Sequence, residues 1–374
     1  MRELTRTRFA LNWRAPRRAG WWVLIVASAV GAYGVWQGLA PGWRDFPTVG
    51  VTALVLTVPL AVAWWWLLRL PQLWARIASS GAIAAIAWGA LVATGVYALQ
   101  SNAALITVIG QRASIDTAQA WGPALIAPLT EETGKAMGIG VVLLAVGQKL
   151  RTPMDAALLG AFAGLGFTLT EDVLYAFNIA YVNLGENELV STTLIYFLRA
   201  VVFGAVSHAA FAAFVGAGLG FLMVGRGRWR VALGVTLIAL GPVLHGLWNS
   251  PWLAPLWLAP LWLRGVYLVV VPLIVWEVLH VVRRSEYVWF RQVLSTPGAL
   301  GAVPPAYLDA VRPTWWQRRK YRESVAKTYG RAAIASQRAV EADLTDLADA
   351  VDMGDEAAAA ALRARLEARL VPPA

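Results

Sequence analysis

The chain has 374 residues, 58% of them hydrophobic and 14% charged, with a mean hydropathy of +0.57, values that exclude an ordinary water-soluble domain. It contains no cysteine, which removes disulfides, thiolate catalysis and cysteine-ligated zinc or iron–sulfur centres. The net charge of +10 is spread over short connections rather than gathered into one field, so it reports membrane topology and argues against a nucleic-acid partner.

A bilayer core takes roughly 20 apolar residues per spanning helix. Runs of that kind occur at 21–39, 49–68, 77–99, 118–146, 153–182, 195–224, 229–249 and 265–282. The expected fold is therefore all-α: a polytopic transmembrane helical bundle of about eight spans. Trp21, Trp22, Trp64, Trp65, Trp66, Trp229, Trp252 and Trp262 bracket these runs as interfacial anchors. The first run is longer than a signal-peptide core and is followed by Pro41, so it reads as a retained anchor.

Basic residues occupy alternate connections: the arm with Arg2, Arg6 and Arg14, then Arg69 and Arg76, Lys149 and Arg151, Arg226 to Arg230, and Arg283 and Arg284. The positive-inside rule then places both termini in the cytoplasm. Residues 1–20 form a basic arm, 21–282 the membrane domain, and 283–374 a partly helical cytoplasmic tail read as a solvated appendage. Val340, Leu344, Leu347 and Val351 carry its helical spacing. Small residues recur at every fourth position in Gly134/Gly138, Gly160/Gly164, Ala205/Ala209/Ala213 and Ala212/Gly216/Gly220, which marks the fourth to sixth runs as the packed centre.

Ionised groups inside a bilayer are costly, so their presence marks function. The fourth run holds Glu131, Glu132 and Lys135, with Glu131 and Lys135 one turn apart and able to pair while Glu132 points toward another neighbour. The fifth holds Phe167, Glu171 and Asp172, with Glu171, Tyr175 and Asn178 on one face; the sixth holds His208. The seventh ends with His245 and Asn249, also one turn apart, a donor pair suited to an oxyanion. Counted from the outer ends, Glu131, Glu171 and His208 all lie roughly 16 to 20 Å deep at 1.5 Å per residue. Glu277 and His280 sit near Arg283 at the end of the last run and read as snorkelling groups outside the site. Arg199 has the position of a counter-ion and is left unassigned.

A buried carboxylate can activate water, a neutral histidine can assist, and the His245/Asn249 donors can hold a tetrahedral oxyanion. No GxSxG, HExxH or GxGD element occurs. In order, Glu131-Glu132-x-x-Lys135, Phe167-x-x-x-Glu171, His208 and His245-x-x-x-Asn249 resemble the motifs of the PrsW protease family, itself related to the type II CAAX prenyl proteases and bacteriocin-processing enzymes. The resemblance spans about 118–249. It implies an intramembrane endopeptidase acting on a membrane-anchored protein, notably at the first, extracytoplasmic cut of an anti-sigma factor. It also implies that the paired glutamates and the histidine are essential. The CAAX relatives carry FxxxH where this chain has Phe167-x-x-x-Glu171, which argues against prenyl-protein specificity.

Two chemistries remain open. A glutamate-activated water needs no cofactor, and is favoured because no ligand pair of established zinc spacing stands out. Alternatively Glu132, Glu171, His208 and His245 hold a divalent metal such as zinc. A proton- or ion-coupled transporter would use the same buried Glu/Lys/His cluster and is the rival class.

Overall fold

The computed structural model describes residues 7–12, 17–72, 76–202, 208–225, 227–253 and 260–370. Arg2, Arg6, Arg14, Ala205, Ser207 and Arg226 lie outside them. Helices dominate; the one extended pairing among the described residues joins the two-residue strands β1 (Thr7–Arg8) and β2 (Arg76–Ile77). Two compact units emerge, one of residues 9–71 and 77–278, the other made mainly of 279–374.

The larger unit opens with α1 (Ala19–Asp45) and α2 (Pro47–Leu67). A continuous helical run follows, made of α3 (Ser79–Ala87), a π-helical segment (Trp88–Ala98) and α4 (Leu99–Arg112). Next come α5 (Ile115–Leu125), α6 (Ala127–Val146), α7 (Pro153–Val182) and α8 (Glu188–Tyr196), which leads into a second π-helical segment (Phe197–Val202). Then follow α9 (His208–Val224), α10 (Arg228–Trp248) and α11 (Leu261–Leu294). Among the described residues, six helical runs are long and apolar enough to cross a membrane: α1, α2, Ser79–Arg112, α7, α10 and α11. The two remaining expected spans carry Glu131, Glu132, Lys135 and His208. The 20-residue α6 holds three charges, and α9 is an apolar helix of 17 residues.

Several boundaries differ from the sequence reading; the eighth run, for one, continues as helix past 282 to Leu294. The third run continues past 99 to Arg112, since no proline or glycine intervenes between Tyr97 and Gly110 to stop it. The fourth run breaks at Ile126 between α5 and α6, with Pro123 inside the first helix and Pro128 in the first turn of the second. Proline lacks the N–H that a continuous helix needs there. α7 starts as expected at Thr152-Pro153, with the Asp155 carboxylate accepting the backbone N–H groups of Arg151 and Thr152 at 3.0 and 3.3 Å.

The fourfold small-residue spacing does its work between α7 and α9. A methyl group added at Gly160 would run into the Ala212 carbonyl oxygen, at Gly164 into that of His208, and at Gly216 into that of Ala156. The two backbones touch, so the His208 main chain is seated directly on Gly164. Gly134 and Gly138 instead meet the rings of Tyr97 and Trp88. Gly164→Leu is expected to force these helices apart at a cost of about 1–3 kcal/mol. A lowered unfolding temperature in detergent together with lost activity checks this; an unchanged melt contradicts the backbone contact.

The smaller unit departs from the appendage expected. A short 3-10 helix (Pro305–Ala310), α12 (Trp315–Tyr329), α13 (Ala333–Asp352) and α14 (Glu356–Leu370) enclose a core with Phe290 and Leu294. Leu344, Leu347 and Leu366 are fully buried in it. Apolar positions at helical spacing on α13 and α14 close on each other, which a solvated tail has no reason to do. Its acids are matched internally: Glu341 pairs with Arg322, and Asp343 with Arg365 and Arg369 at 3.2 and 2.9 Å.

Candidate active site

α6, α7, α9 and α10 each bring ionisable groups to one place inside the larger unit. Glu131, Glu132, Lys135, His208 and His245 are all buried. The Lys135 ammonium lies 2.7 Å from Glu132 Oε1 and 3.6 Å from Glu131 Oε2. The pairing expected between Glu131 and Lys135 is thus mainly one between Glu132 and Lys135. A lysine side chain reaches three residues back as well as four, and Glu131 has another partner.

That partner is Asn102 on α4, whose Nδ2 donates to Glu131 Oε1 at 3.0 Å while its Oδ1 accepts the Thr130 hydroxyl. Asn102 lies where the third run was expected to have ended, so nothing in the motif spacing pointed to it. The unbroken helical sequence from Tyr97 to Gly110 is the signal that could have. The clamp leaves Glu131 Oε2 buried with no hydrogen-bond partner. Asn102→Ala is expected to lower cleavage about 10–100-fold, the usual effect of freeing a ligating or reacting carboxylate from its outer partner. A steady-state assay at unchanged thermal stability checks it, and wild-type turnover contradicts it.

Hydrogen bonds assign the two imidazole tautomers. Lys135 has only protons to give, so its contact with His208 Nδ1 at 2.9 Å makes that nitrogen an acceptor, and His208 Nε2–H donates to Glu171 Oε2 at 2.8 Å. His245 Nδ1–H donates to Glu132 Oε1 at 3.0 Å, leaving Nε2 as a lone pair. Both acceptor nitrogens face the free oxygen: His208 Nδ1 at 3.8 Å and His245 Nε2 at 3.7 Å from Glu131 Oε2.

Glu131, His208 and His245 therefore offer three ligand atoms within 4.8 Å of one another. A divalent cation fits this donor set of an orphaned carboxylate oxygen, the His245 Nε2 lone pair and His208 Nδ1, which would exchange its contact with Lys135 for the ion. The set differs from the sequence expectation, with Glu131 in place of Glu132 and Glu171. Those two acids sit on the far nitrogens of His245 and His208, the outer position that orients a ligating histidine. Three ligands from three helices have no spacing to betray them.

Glu171 and Asp172 are held by Arg199, at 2.7 and 2.9 Å, which gives Arg199 a counter-ion role that the sequence reading left unassigned. Its guanidinium also stacks 3.6 Å from the Tyr175 ring centroid. His245 and Asn249 do not act as a donor pair. The His245 N–H is committed to Glu132, whereas Asn249 makes only a 3.5 Å contact to the Pro123 carbonyl and lines a cavity of about 570 Å³. Glu131, Glu171, Tyr175, Asn102, Gln119 and Pro123 share its wall.

A helical membrane bundle that opens Glu131 and Glu171 onto a cavity, with His208 and His245 buried behind them, has the parts of an intramembrane hydrolase. The model of the PrsW family of intramembrane metalloproteases matches residues 79–277, more than half of the chain, and the chain belongs to that family. No curated protein and no solved structure matches it. It is accordingly a peptide hydrolase integral to the membrane, which sets the transporter reading aside.

Proposed function

We propose that the chain hydrolyses a peptide bond of a membrane-anchored protein at the Glu131/His208/His245 centre. The observation that carries this reading is the Glu131 Oε2 atom, buried, without a hydrogen-bond partner, and facing an acceptor nitrogen of each histidine. Glu131, His208 and His245 would hold a divalent cation such as zinc, which supplies the Lewis acidity that lets water attack near neutral pH. Glu132 Oε2, also buried without a hydrogen-bond partner, takes the proton of the attacking water. It returns that proton to the amide nitrogen as the C–N bond breaks. Glu171 and Glu132 keep the two imidazoles in their tautomers, and Asn249, on the cavity wall with an amide free to turn, donates to the oxyanion.

The position of the cavity supports an orientation. Asn102, Gln119 and Pro251 on its wall flank connections on the side opposite Lys149 and Arg151. With basic connections in the cytoplasm, the cut falls toward the extracytoplasmic face of a bacterial plasma membrane and both termini are cytoplasmic. An anti-sigma factor with a single span is the substrate this arrangement suits. Co-expression with a tagged single-span protein, followed by mass measurement of the fragments, tests the reading. A cut in the outer half is expected; a cut in the cytoplasmic half, or none, contradicts it.

A further inference from the structure

The basic and acidic residues of the smaller unit are segregated along the sequence. Between 283 and 331 stand ten Lys and Arg against three acids; from 332 to the end stand four against eight. The acids Glu341 and Asp343 are neutralised by arginines of α12 and α14. Not all of the cations are used up in this way.

One face of α12 is unusual. Gln317, Lys320, Tyr321 and Ser324 share it, at the spacing by which a packed helix shows apolar residues to its neighbours. Here the face is polar and lines a cavity of about 500 Å³ together with Tyr287, Arg312 and Pro313. The wall thus holds one ammonium, one guanidinium, a carboxamide and three hydroxyls, and no carboxylate. Among the described residues no acid pairs with Lys320, and the Arg312 guanidinium lies only over the Tyr321 ring, 5.3 Å from its centroid. This is the donor set of a phosphate site.

Beside it, Trp315 and Trp316 stack edge to face at 4.4 Å at the start of α12, and 46% and 62% of their surfaces are exposed. Two adjacent exposed tryptophans are a poor surface for water and a good one for the headgroup layer of a bilayer, where an amphipathic ring has both phases within reach. The chain enters this unit directly from α11, whose apolar stretch is able to span the membrane.

We propose that the cavity between α12 and Arg312 binds the phosphate headgroup of an anionic phospholipid, with Trp315 and Trp316 lying in the interface beside it. Arg312 and Lys320 bind the phosphate, Gln317 and the tyrosine hydroxyls donate to it, and the tryptophans select a lipid over a free phosphate. The site is independent of the hydrolytic centre.

The test uses the full-length chain in neutral detergent, with native mass spectrometry counting retained phosphatidylglycerol against phosphatidylcholine. Phosphatidylglycerol is expected to be retained preferentially, and each of Arg312→Gln and Lys320→Gln to weaken it roughly fivefold, the effect of one cation near a lipid surface. Lys327→Gln, a charge on α12 outside the cavity, leaves retention unchanged. Trp315→Ala/Trp316→Ala loses the lipid while the protein still binds inorganic phosphate. Hydrogen exchange across α13 and α14 confirms in each variant that the unit is folded. Equal retention of the two lipids, equal loss with Lys327→Gln and Lys320→Gln, or inorganic phosphate displacing the lipid at equal affinity would each overturn the proposal.

Discussion

Glu131→Gln is expected to lower peptide cleavage by about 10²- to 10⁴-fold, the scale on which a reacting or ligating carboxylate contributes. The substitution keeps the shape and, with its amide oxygen accepting from Asn102, puts an amide nitrogen that repels a cation in place of the free Oε2. Glu132→Gln is expected to lose activity on the same scale for a different reason, since it removes the proton acceptor. The two separate in metal content: Glu131→Gln loses the ion, whereas Glu132→Gln keeps it with affinity weakened about 10–100-fold through the loosened His245. Because the two groups act as a unit, the double variant should be little worse than either single one. Full cleavage by Glu131→Gln in a purified assay contradicts the assignment of this atom.

Lys135→Met is expected to cost about 3–5 kcal/mol of stability, because it leaves two buried carboxylates facing each other without their cation. Lys135 is itself fully buried, lying 3.9 Å from the Phe167 ring centroid as well as against Glu132 and His208. Adding Glu132→Gln to Lys135→Met removes one of the stranded charges and should recover part of the loss. Unfolding in detergent, followed by tryptophan fluorescence or by heat, measures both. A Lys135→Met protein as stable as the wild type means that the ammonium is not what compensates the glutamates.

Most of the architecture was legible because the bilayer makes it so: a spanning helix has to announce itself as a long apolar run. What escaped were the places where local chemistry overrides length. Pro123 and Pro128 divide the fourth run, and the unbroken stretch after Tyr97 carries the third run on to Arg112. The tail's core escaped because its leucines, alanines and valines are spread thinly among charged residues from 290 to 366, a pattern weak in any single window.

For the site, the motif residues Glu131, Glu132, Lys135, Glu171, His208 and His245 do converge, and the common depth counted for Glu131, Glu171 and His208 pointed that way. Pairings were less legible than membership. Whether Lys135 serves Glu131 or Glu132 depends on what else competes for Glu131, and the competitor, Asn102, comes from a helix outside every motif. The oxyanion role given to His245 together with Asn249 rested on helical spacing. Spacing says which residues share a face and not which ring nitrogen carries the proton.

The central claim is that Glu131, His208 and His245 hold a divalent ion at the hydrolytic centre. Elemental analysis of the full-length protein purified in mild detergent, with cleavage assayed before and after chelation, tests it most directly. The account predicts about one divalent ion per chain, loss of cleavage on chelation with recovery on adding zinc, and no retained ion in His245→Ala. A metal-free protein that cleaves at the full rate would contradict it.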